Sequence, residues 1–441
     1  MKIEEIVIVG TGPSGLAAAR EARSLRPSTR IVVLDAGNIV EPDLKIGLKS
    51  HFGSTAMYDQ KDSGLLHKGM KPTVWPSASR GGFSRIWGAA IGNENVEDLS
   101  PNMNLNLKGS DQTFLTHSAR QMLLANDSIK NKSWHIGNHH IAVDKSKCTM
   151  CGRCLSGCPE DAIWFAGNEW RKVENIEIRD GFRLDNFIVH PDRIQLNDIS
   201  GKTVEAHYVF LAAGAISSIQ IMMRSGYLPK QVSIKDTQVL FFPALRFPVK
   251  ETTKSFALSQ ISATKKTKEG KQVYLQLYPD SRTLVESIKR HKPFLGKVVE
   301  KLWALLSRVI VTGILYFDAE SSPALQVRMI SRSSFELSKN RQPATKGSRI
   351  RLPELNYSIA REFRVLPFFS LGKKGEPGES YHFGAVAEIQ AFNQNAAFSR
   401  IRVVDSSALT EINPGPITNK VMFRAREIVR ETLRVNNEDS D

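Results

Sequence analysis

The feature that most constrains this chain is its beginning, where a short apolar run, Ile6 to Val9, passes directly into Gly10-Thr11-Gly12-Pro13-Ser14-Gly15. A small-residue stretch, Leu16-Ala17-Ala18-Ala19, follows, and then a second apolar run, Ile31-Val32-Val33-Leu34, ends in Asp35. The order reads as strand, glycine turn, helix, strand, with an acid about 20 residues beyond the turn. Gly10 permits the tight turn, Gly12 lets the backbone approach a pyrophosphate, and Gly15 lets the helix lie close on the strand. Pro13 and Ser14 open the helix, whose free N–H groups and positive dipole end would face the phosphates. Asp35 is placed to accept hydrogen bonds from a ribose. The expectation is a dinucleotide site; a glycine-rich turn with no ligand is the bland alternative.

Two later segments read as returns to the same domain. Tyr208-Val209-Phe210-Leu211-Ala212-Ala213-Gly214-Ala215 is a buried strand running into a small-residue turn, and Ile401-Arg402-Val403-Val404-Asp405 is a strand ending in an acid. The latter leads to a helix from Thr418 to Val435, with Val421, Ala425, Ile428, Val429 and Thr432 on one face. Between the returns, roughly 233 to 394, short β-rich runs recur: Val239–Phe247, Phe256–Ala263, Gln272–Tyr278, Val309–Phe317 and Ala324–Ile330. They read as a mostly antiparallel sheet, one wall of a substrate cavity. Leu295 to Leu306 reads as a basic amphipathic helix that packs on its own domain, with peripheral contact to a membrane surface as the alternative.

Composition adds bounds. A length of 441 residues suits two domains, and 41% apolar with 24% charged residues is globular usage. The start runs straight into a strand pattern and leaves no room for a signal peptide, and the longest apolar stretch, Leu302 to Phe317, is interrupted by Arg308. The expected location is the cytoplasm. A formal charge of +15 is read either as a solvated basic surface or as a field favouring an anionic substrate, an acidic electron-transfer partner or an anionic membrane surface. No nucleic-acid partner is expected, since no binding motif accompanies the charge.

All four cysteines fall within eleven consecutive residues, so they read as ligands and not as a disulfide framework. Cys148-x2-Cys151-x2-Cys154-x3-Cys158-Pro159 has bacterial ferredoxin spacing. Thiolates suit an iron–sulfur cluster or zinc. In two-cluster ferredoxins the fourth cysteine of such a run ligates the other cluster, and no second run exists here. Either all four cysteines wrap one [4Fe–4S] cluster, the favoured reading, or three do so with His139 or His140 as fourth ligand, or the cluster is [3Fe–4S].

Four landmarks resemble the glucose–methanol–choline (GMC) oxidoreductases: Ile8-Val9-Gly10-Thr11-Gly12-Pro13-Ser14-Gly15, Gly81-Gly82-Phe83-Ser84-Arg85-Ile86-Trp87-Gly88, Leu211-Ala212-Ala213-Gly214, and Val403-Val404-Asp405-Ser406-Ser407. The resemblance implies FAD, with Gly81, Gly82, Ser84 and Trp87 in a second glycine loop laid against the flavin. It also puts Ala213 and Gly214 at the cofactor, and Asp405 near the ribityl and pyrophosphate. Some relatives attach flavin covalently through a histidine in that loop; Ile86 stands at the matching position, so non-covalent FAD is expected. The family's catalytic histidine matches His382 in Tyr381-His382-Phe383-Gly384, a base for the substrate hydroxyl. Asn413-Pro414 is the candidate for the second catalytic position, although aligning the last helix places Pro416 there.

The expected fold is thus α/β plus α+β. A Rossmann-like FAD-binding domain is assembled from 1–124, 176–232 and 395–441. A small ferredoxin-like insertion occupies 125–175, and a mostly antiparallel-sheet substrate domain occupies 233–394. The expected function is oxidation of an alcohol, a sugar or sugar-linked hydroxyl among the candidates, by hydride transfer to flavin, with electrons leaving through the cluster to a one-electron acceptor. A relay flavoprotein without alcohol chemistry is the rival.

Overall fold

The computed structural model describes residues 3–37, 64–92 apart from 71–73, 75, 78 and 86, 132–137, 140–151 apart from 145, 154, 158–246, 258–278, 309–340 and 351–438, with isolated helical residues at 294, 297, 298 and 301. Ile86, His139 and most of 295–306 therefore lie outside the described residues.

β1 (Ile3–Val9) passes through the glycine turn into α1 (Pro13–Leu25), and β2 (Ile31–Asp35) returns beside β1 in parallel, Val7 opposite Val32. All five residues of β2 are buried, because the strand is covered on both faces. The parallel set is completed by strands from far along the chain. β6 (Ile176–Asp180) pairs with β2, and β9 (Thr203–Leu211) pairs with the other side of β1. The far edge of β9 is shared: β8 (Ile194–Asp198) takes its first half antiparallel and β20 (Ile401–Val403) its last three residues in parallel. β7 (Leu184–Val189) closes the sheet on β8.

Residues 231–384 hold two sheets where the sequence reading has one. The first joins β10 (Gln231–Asp236), β15 (Ala324–Ser331) and β16 (Ser334–Asn340) antiparallel, with β19 (Phe383–Gly384) on one edge. Its other edge is β3 (Leu65–Lys68), a strand from the N-terminal part of the chain that lies parallel to β16. The second sheet runs β12 (Ile261–Lys266), β13 (Gln272–Tyr278), β14 (Ile310–Phe317), β11 (Val239–Arg246), β17 (Val365–Pro367), with β18 (Lys373–Lys374) also on β11. β12 starts at Ile261, and Phe256 lies outside the described residues. One face of this sheet is sealed by α4 (Leu352–Glu362), whose Leu355 and Ile359, with Phe363 just beyond, join Val273, Leu275, Leu277, Val311 and Leu315 in a core. A two-stranded ribbon, β4 (Ala90–Gly92) with β5 (His140–Ile141), leads into the cysteine segment, which ends in the short α2 (Ala166–Glu169).

The remaining helices are α3 (Ala215–Arg224), α5 (Ala387–Gln394) and α6 (Thr418–Glu438). The face of α6 expected to be apolar is the buried one, with Val421, Ala425, Ile428, Val429 and Thr432 all inside. Among the described residues no helix is long and apolar enough to cross a membrane.

α6 is clamped to α1 by a charge pair on a mostly apolar contact: buried Glu21 accepts from Arg426 Nε at 2.9 Å and Arg430 Nε at 2.8 Å. Burial alone would raise the Glu21 carboxyl, but hydrogen bonds from Arg430 and Arg426 outweigh it and hold the carboxyl below its usual range. The clamp therefore stabilises the fold above the ordinary carboxylate range and is lost as pH falls through the depressed value. Glu21→Gln is expected to cost about 1–3 kcal/mol at neutral pH. In urea unfolding the gap to the unsubstituted protein should close in acid; a gap independent of pH would rule out the charged clamp.

Candidate functional site

Two glycine loops face each other across a bare strip of backbone. A Cβ added at Gly12 would meet nothing within 4 Å, and one at Gly82 (φ +56°) would touch Gly12 Cα at 3.4 Å. Gly15 is a different case: a Cβ there would lie 2.0 Å from Gly10 O, so only glycine lets α1 start so close to the turn. Pro13 occupies the first turn of α1, and Ser14 is buried behind it. No side chain caps α1, so its first-turn N–H groups point at the strip. A phosphate is the ligand such a bare helix start and glycine strip accommodate, and the residues present fit the pyrophosphate of a dinucleotide.

Thr11 does work that the sequence reading did not assign to it. Its N and Oγ1 donate to Asp35 Oδ2 at 2.8 and 2.5 Å, its Oγ1 accepts from Gly81 N at 2.9 Å, and its O accepts from Trp170 Nε1 at 2.8 Å. Asp35 Oδ1 accepts from Gly37 N at 2.8 Å. Asp35 thus braces its own turn first. Burial pushes its carboxyl up, against those hydrogen bonds. Carboxylate oxygens have lone pairs to spare, so the brace is compatible with a ribose contact.

The second loop is tied to the segment after the cysteines. Ser84 Oγ donates to Gly81 O at 2.6 Å and accepts from Ala166 N at 3.1 Å. Trp87 Nε1 donates to Trp164 O at 3.0 Å, with the two rings edge to face at 5.6 Å. The Arg85 guanidinium lies 4.7 Å over the Phe165 ring. The Ser84 hydroxyl is thus shared between Gly81 and Ala166, and the Trp87 indole N–H is committed to Trp164.

Cys154 and Cys158 are buried, Cys148 is half-buried and Cys151 is exposed. Ala162 N donates to Cys158 Sγ at 3.3 Å, and the Met150 amide donates to Cys148. Burial pushes the Cys148 thiol up, and the neighbouring Cys158 and Cys151 sulfurs push it further. Backbone donors are thus aimed at two of the four sulfurs, Cys148 and Cys158, a donor set that fits cluster ligation. Among the described residues no three His, Cys, Asp or Glu side chains are grouped to hold a metal ion. His140 is buried, with Nδ1 lacking a partner among the described residues, and burial lowers its pKa.

Ala213 and Gly214 follow β9, and Gly214 (φ +84°) begins α3 with nothing within 4 Å of an added Cβ. The buried Asp405 carboxylate accepts from Ser218 Oγ, from Ser407 N and Oγ, and from the Gly214 amide. It ties the start of α3 to the turn after β20. Burial raises its carboxyl despite these bonds.

That turn also holds the segment carrying His382. Ala385 N and Val386 N donate to Ser406 O and Ser407 O, both at 2.9 Å. The His382 ring stacks on Tyr316 at 5.0 Å, tilted by 20°. Its Nδ1 is buried without a hydrogen-bond partner among the described residues. Burial lowers its pKa to about 4, so the ring is neutral across the physiological range. Tyr316 and Tyr278 both donate to Gln276 Oε1, at 3.2 and 3.0 Å, on the face of the second sheet opposite α4. Alternation along β13 and β14 makes this face: Tyr274, Gln276 and Tyr278 point one way, Leu275 and Leu277 the other. Tyr316 and the Gln276 bonded to it were not singled out from the sequence, although the alternation was readable there. Asn413 Nδ2 donates to exposed Glu411 at 2.7 Å.

Residues 140–163 match the family model described as a 4Fe-4S binding domain. No curated protein matches the chain. Among solved structures, the chain is similar to the crystal structure of pyridoxine 4-oxidase from Mesorbium loti, at 13% sequence identity and a TM-score of 0.59, covering 97% of this chain and 99% of that one. At this identity the likeness is one of fold.

Thr11→Val keeps the size and removes the hydroxyl, leaving Gly81 N without its acceptor. The expected cost is about 1–3 kcal/mol, read by denaturant unfolding. Stability unchanged by the substitution would show that the two loops do not depend on this bond.

Proposed function

We propose that this chain is an FAD-dependent dehydrogenase of the GMC type, with a Rossmann-like cofactor domain, that oxidises an alcohol and passes the electrons out through a [4Fe–4S] cluster. One arrangement carries the reading. The cysteine segment is exposed at Cys151, while its other end, Trp164 to Trp170, is hydrogen-bonded to both glycine loops. A group held by the four cysteines would stand between the dinucleotide groove and the surface. A flavin accepts two electrons as a hydride and an iron–sulfur cluster carries one at a time, which is the chemistry the two groups supply when bound.

In this reading the strip from Gly10 to Gly15, with Gly81, Gly82, Ala213 and Gly214, receives the dinucleotide, non-covalently. Cys148, Cys151, Cys154 and Cys158 hold the cluster. His382 receives the hydroxyl proton at Nε2, the ring nitrogen that is not among the sealed atoms. Tyr316 fixes the plane of the ring by stacking, and Gln276 fixes the two phenols beside it. Phenols and a carboxamide suit hydroxyl-bearing, uncharged parts of a substrate such as a sugar. For the acceptor, the formal charge of +15 suits an acidic protein.

The rival, an electron-relay protein without alcohol chemistry, is favoured by one observation: burial makes His382 a weak base. Anaerobic protein should contain flavin, iron and acid-labile sulfide, and its flavin should bleach with a member of an alcohol panel (pyridoxine, benzyl alcohol, free and phosphorylated hexoses). His382→Ala should slow that bleaching roughly 10²–10⁴-fold while dithionite still reduces the flavin. Because the ring must be neutral to take a proton, bleaching by the unsubstituted protein should hold through neutral pH and fall as pH drops through about 4. Equal bleaching with and without His382 would favour the relay.

A further inference from the structure

The reading above leaves Asp236 without a task, and its surroundings are unusual for a carboxylate. It is fully buried at the end of β10, and among the described residues no cation pairs with it. Its Oδ2 accepts from Gly378 N at 2.8 Å, its Oδ1 from Ser380 Oγ at 3.4 Å, and the Thr237 amide donates to it as well. Desolvation pushes the carboxyl up to about 8. Burying an acid among neutral donors is costly, and here it satisfies three donors at once.

The partners of Asp236 are also the partners of His382. Ser380 Oγ accepts from His382 N at 2.9 Å, and Thr237 donates from both N and Oγ1 to His382 O, each at 3.2 Å. Each backbone polar group of His382 is thus one hydrogen bond from a residue that Asp236 itself holds. The intervening turn needs holding. Tyr381 sits at φ +56° and Ala385 at φ +49°, a region that costs L residues about 1–3 kcal/mol and persists only where the surroundings enforce it. Tyr381 in turn packs on Phe83 of the second glycine loop, with ring centroids 4.9 Å apart.

We infer that Asp236 is a positioning residue for His382: by gripping Gly378 N, Ser380 and Thr237 it holds the turn 378–382 in its strained form and so sets the imidazole flat against Tyr316. The inference rests on the reading of His382 as the base. Asp236→Asn changes one oxygen to an NH2 that cannot accept from both Gly378 N and Ser380. In the holoprotein, flavin and iron content should stay at the unsubstituted level. The limiting rate of alcohol-driven flavin bleaching should fall about 10- to 100-fold, as expected of a misplaced group, with the alcohol concentration for half-maximal rate little changed. A second readout needs no substrate. In ¹⁵N-histidine-labelled protein, the ring resonance absent from His382→Ala identifies His382, and it should shift in Asp236→Asn. Ser380→Ala removes the hydroxyl that links Asp236 to His382 N and also accepts from Thr237 Oγ1, and should act in the same direction; it decides the matter if Asp236→Asn does not fold. Unsubstituted rates and an unmoved His382 resonance in the folded variants would overturn the inference, as would a loss confined to alcohol affinity. If no alcohol bleaches even the unsubstituted protein, the base reading fails, and the resonance alone decides whether Asp236 sets the ring.

Discussion

The hydroxyl of Thr11 donates to Asp35 and accepts from Gly81 N, while the carbonyl of the same residue accepts from Trp170. Three parts of the chain are joined there: the end of β2, the second glycine loop and the segment leaving the cysteines. A hydroxyl suits the place because it is both donor and acceptor, so a buried acid and a buried amide can be satisfied by one atom. The spacing of the groove between Gly12 and Gly82 depends on this junction, and so does the approach of the cysteine segment to it. Neither could shift without leaving a buried donor unpaired.

The second sheet sets the other wall. Strict alternation along β13 and β14 sends Val273, Leu275 and Leu277 into the apolar core under α4 and Tyr274, Gln276 and Tyr278 to the opposite face. His382 reaches that face from a different sheet, through β19 on the edge of β10, and is also tied to the turn after β20. The residue therefore stands where three substructures meet. A shift of any one of them would tilt the imidazole off Tyr316.

Electrostatics inside the molecule differ from those of its surface. The chain carries a formal charge of +15, yet the buried acids Asp35, Asp236 and Asp405 are all satisfied by hydroxyl and amide donors. Burial raises all three carboxyls. Cations cluster instead in the open cleft beside α4, where Arg361 pairs with Glu362 and Lys268 with Glu354. The positive charge thus bears on what approaches from outside more than on the neighbourhood of His382, whose described ring and hydrogen-bond partners are all uncharged.

The sequence by itself determined what depends on near neighbours along the chain. The glycine turn between β1 and α1, the acid closing β2, the buried face of α6 and the cysteine spacing are written within one or two turns of chain, and local geometry obeys them. Tertiary structure alone decided what those residues touch. Asp35 and Asp405 were readable as acids ending strands, but their engagement with Thr11, and with Ser218 and Gly214, depends on residues brought from elsewhere. The splitting of the middle sheet, with β3 joining β16 from residues 65–68, could not be read either, because an edge strand's pattern does not name its partner. Asn413 reads as catalytic from the resemblance and its proline neighbour, and its hydrogen bond to Glu411 was not readable there. Asp236 carried no motif at all. Its place emerges only when β10 and the turn before β19 lie side by side, since a buried acid is defined by what excludes water from it, and that is contributed by residues over 140 positions away.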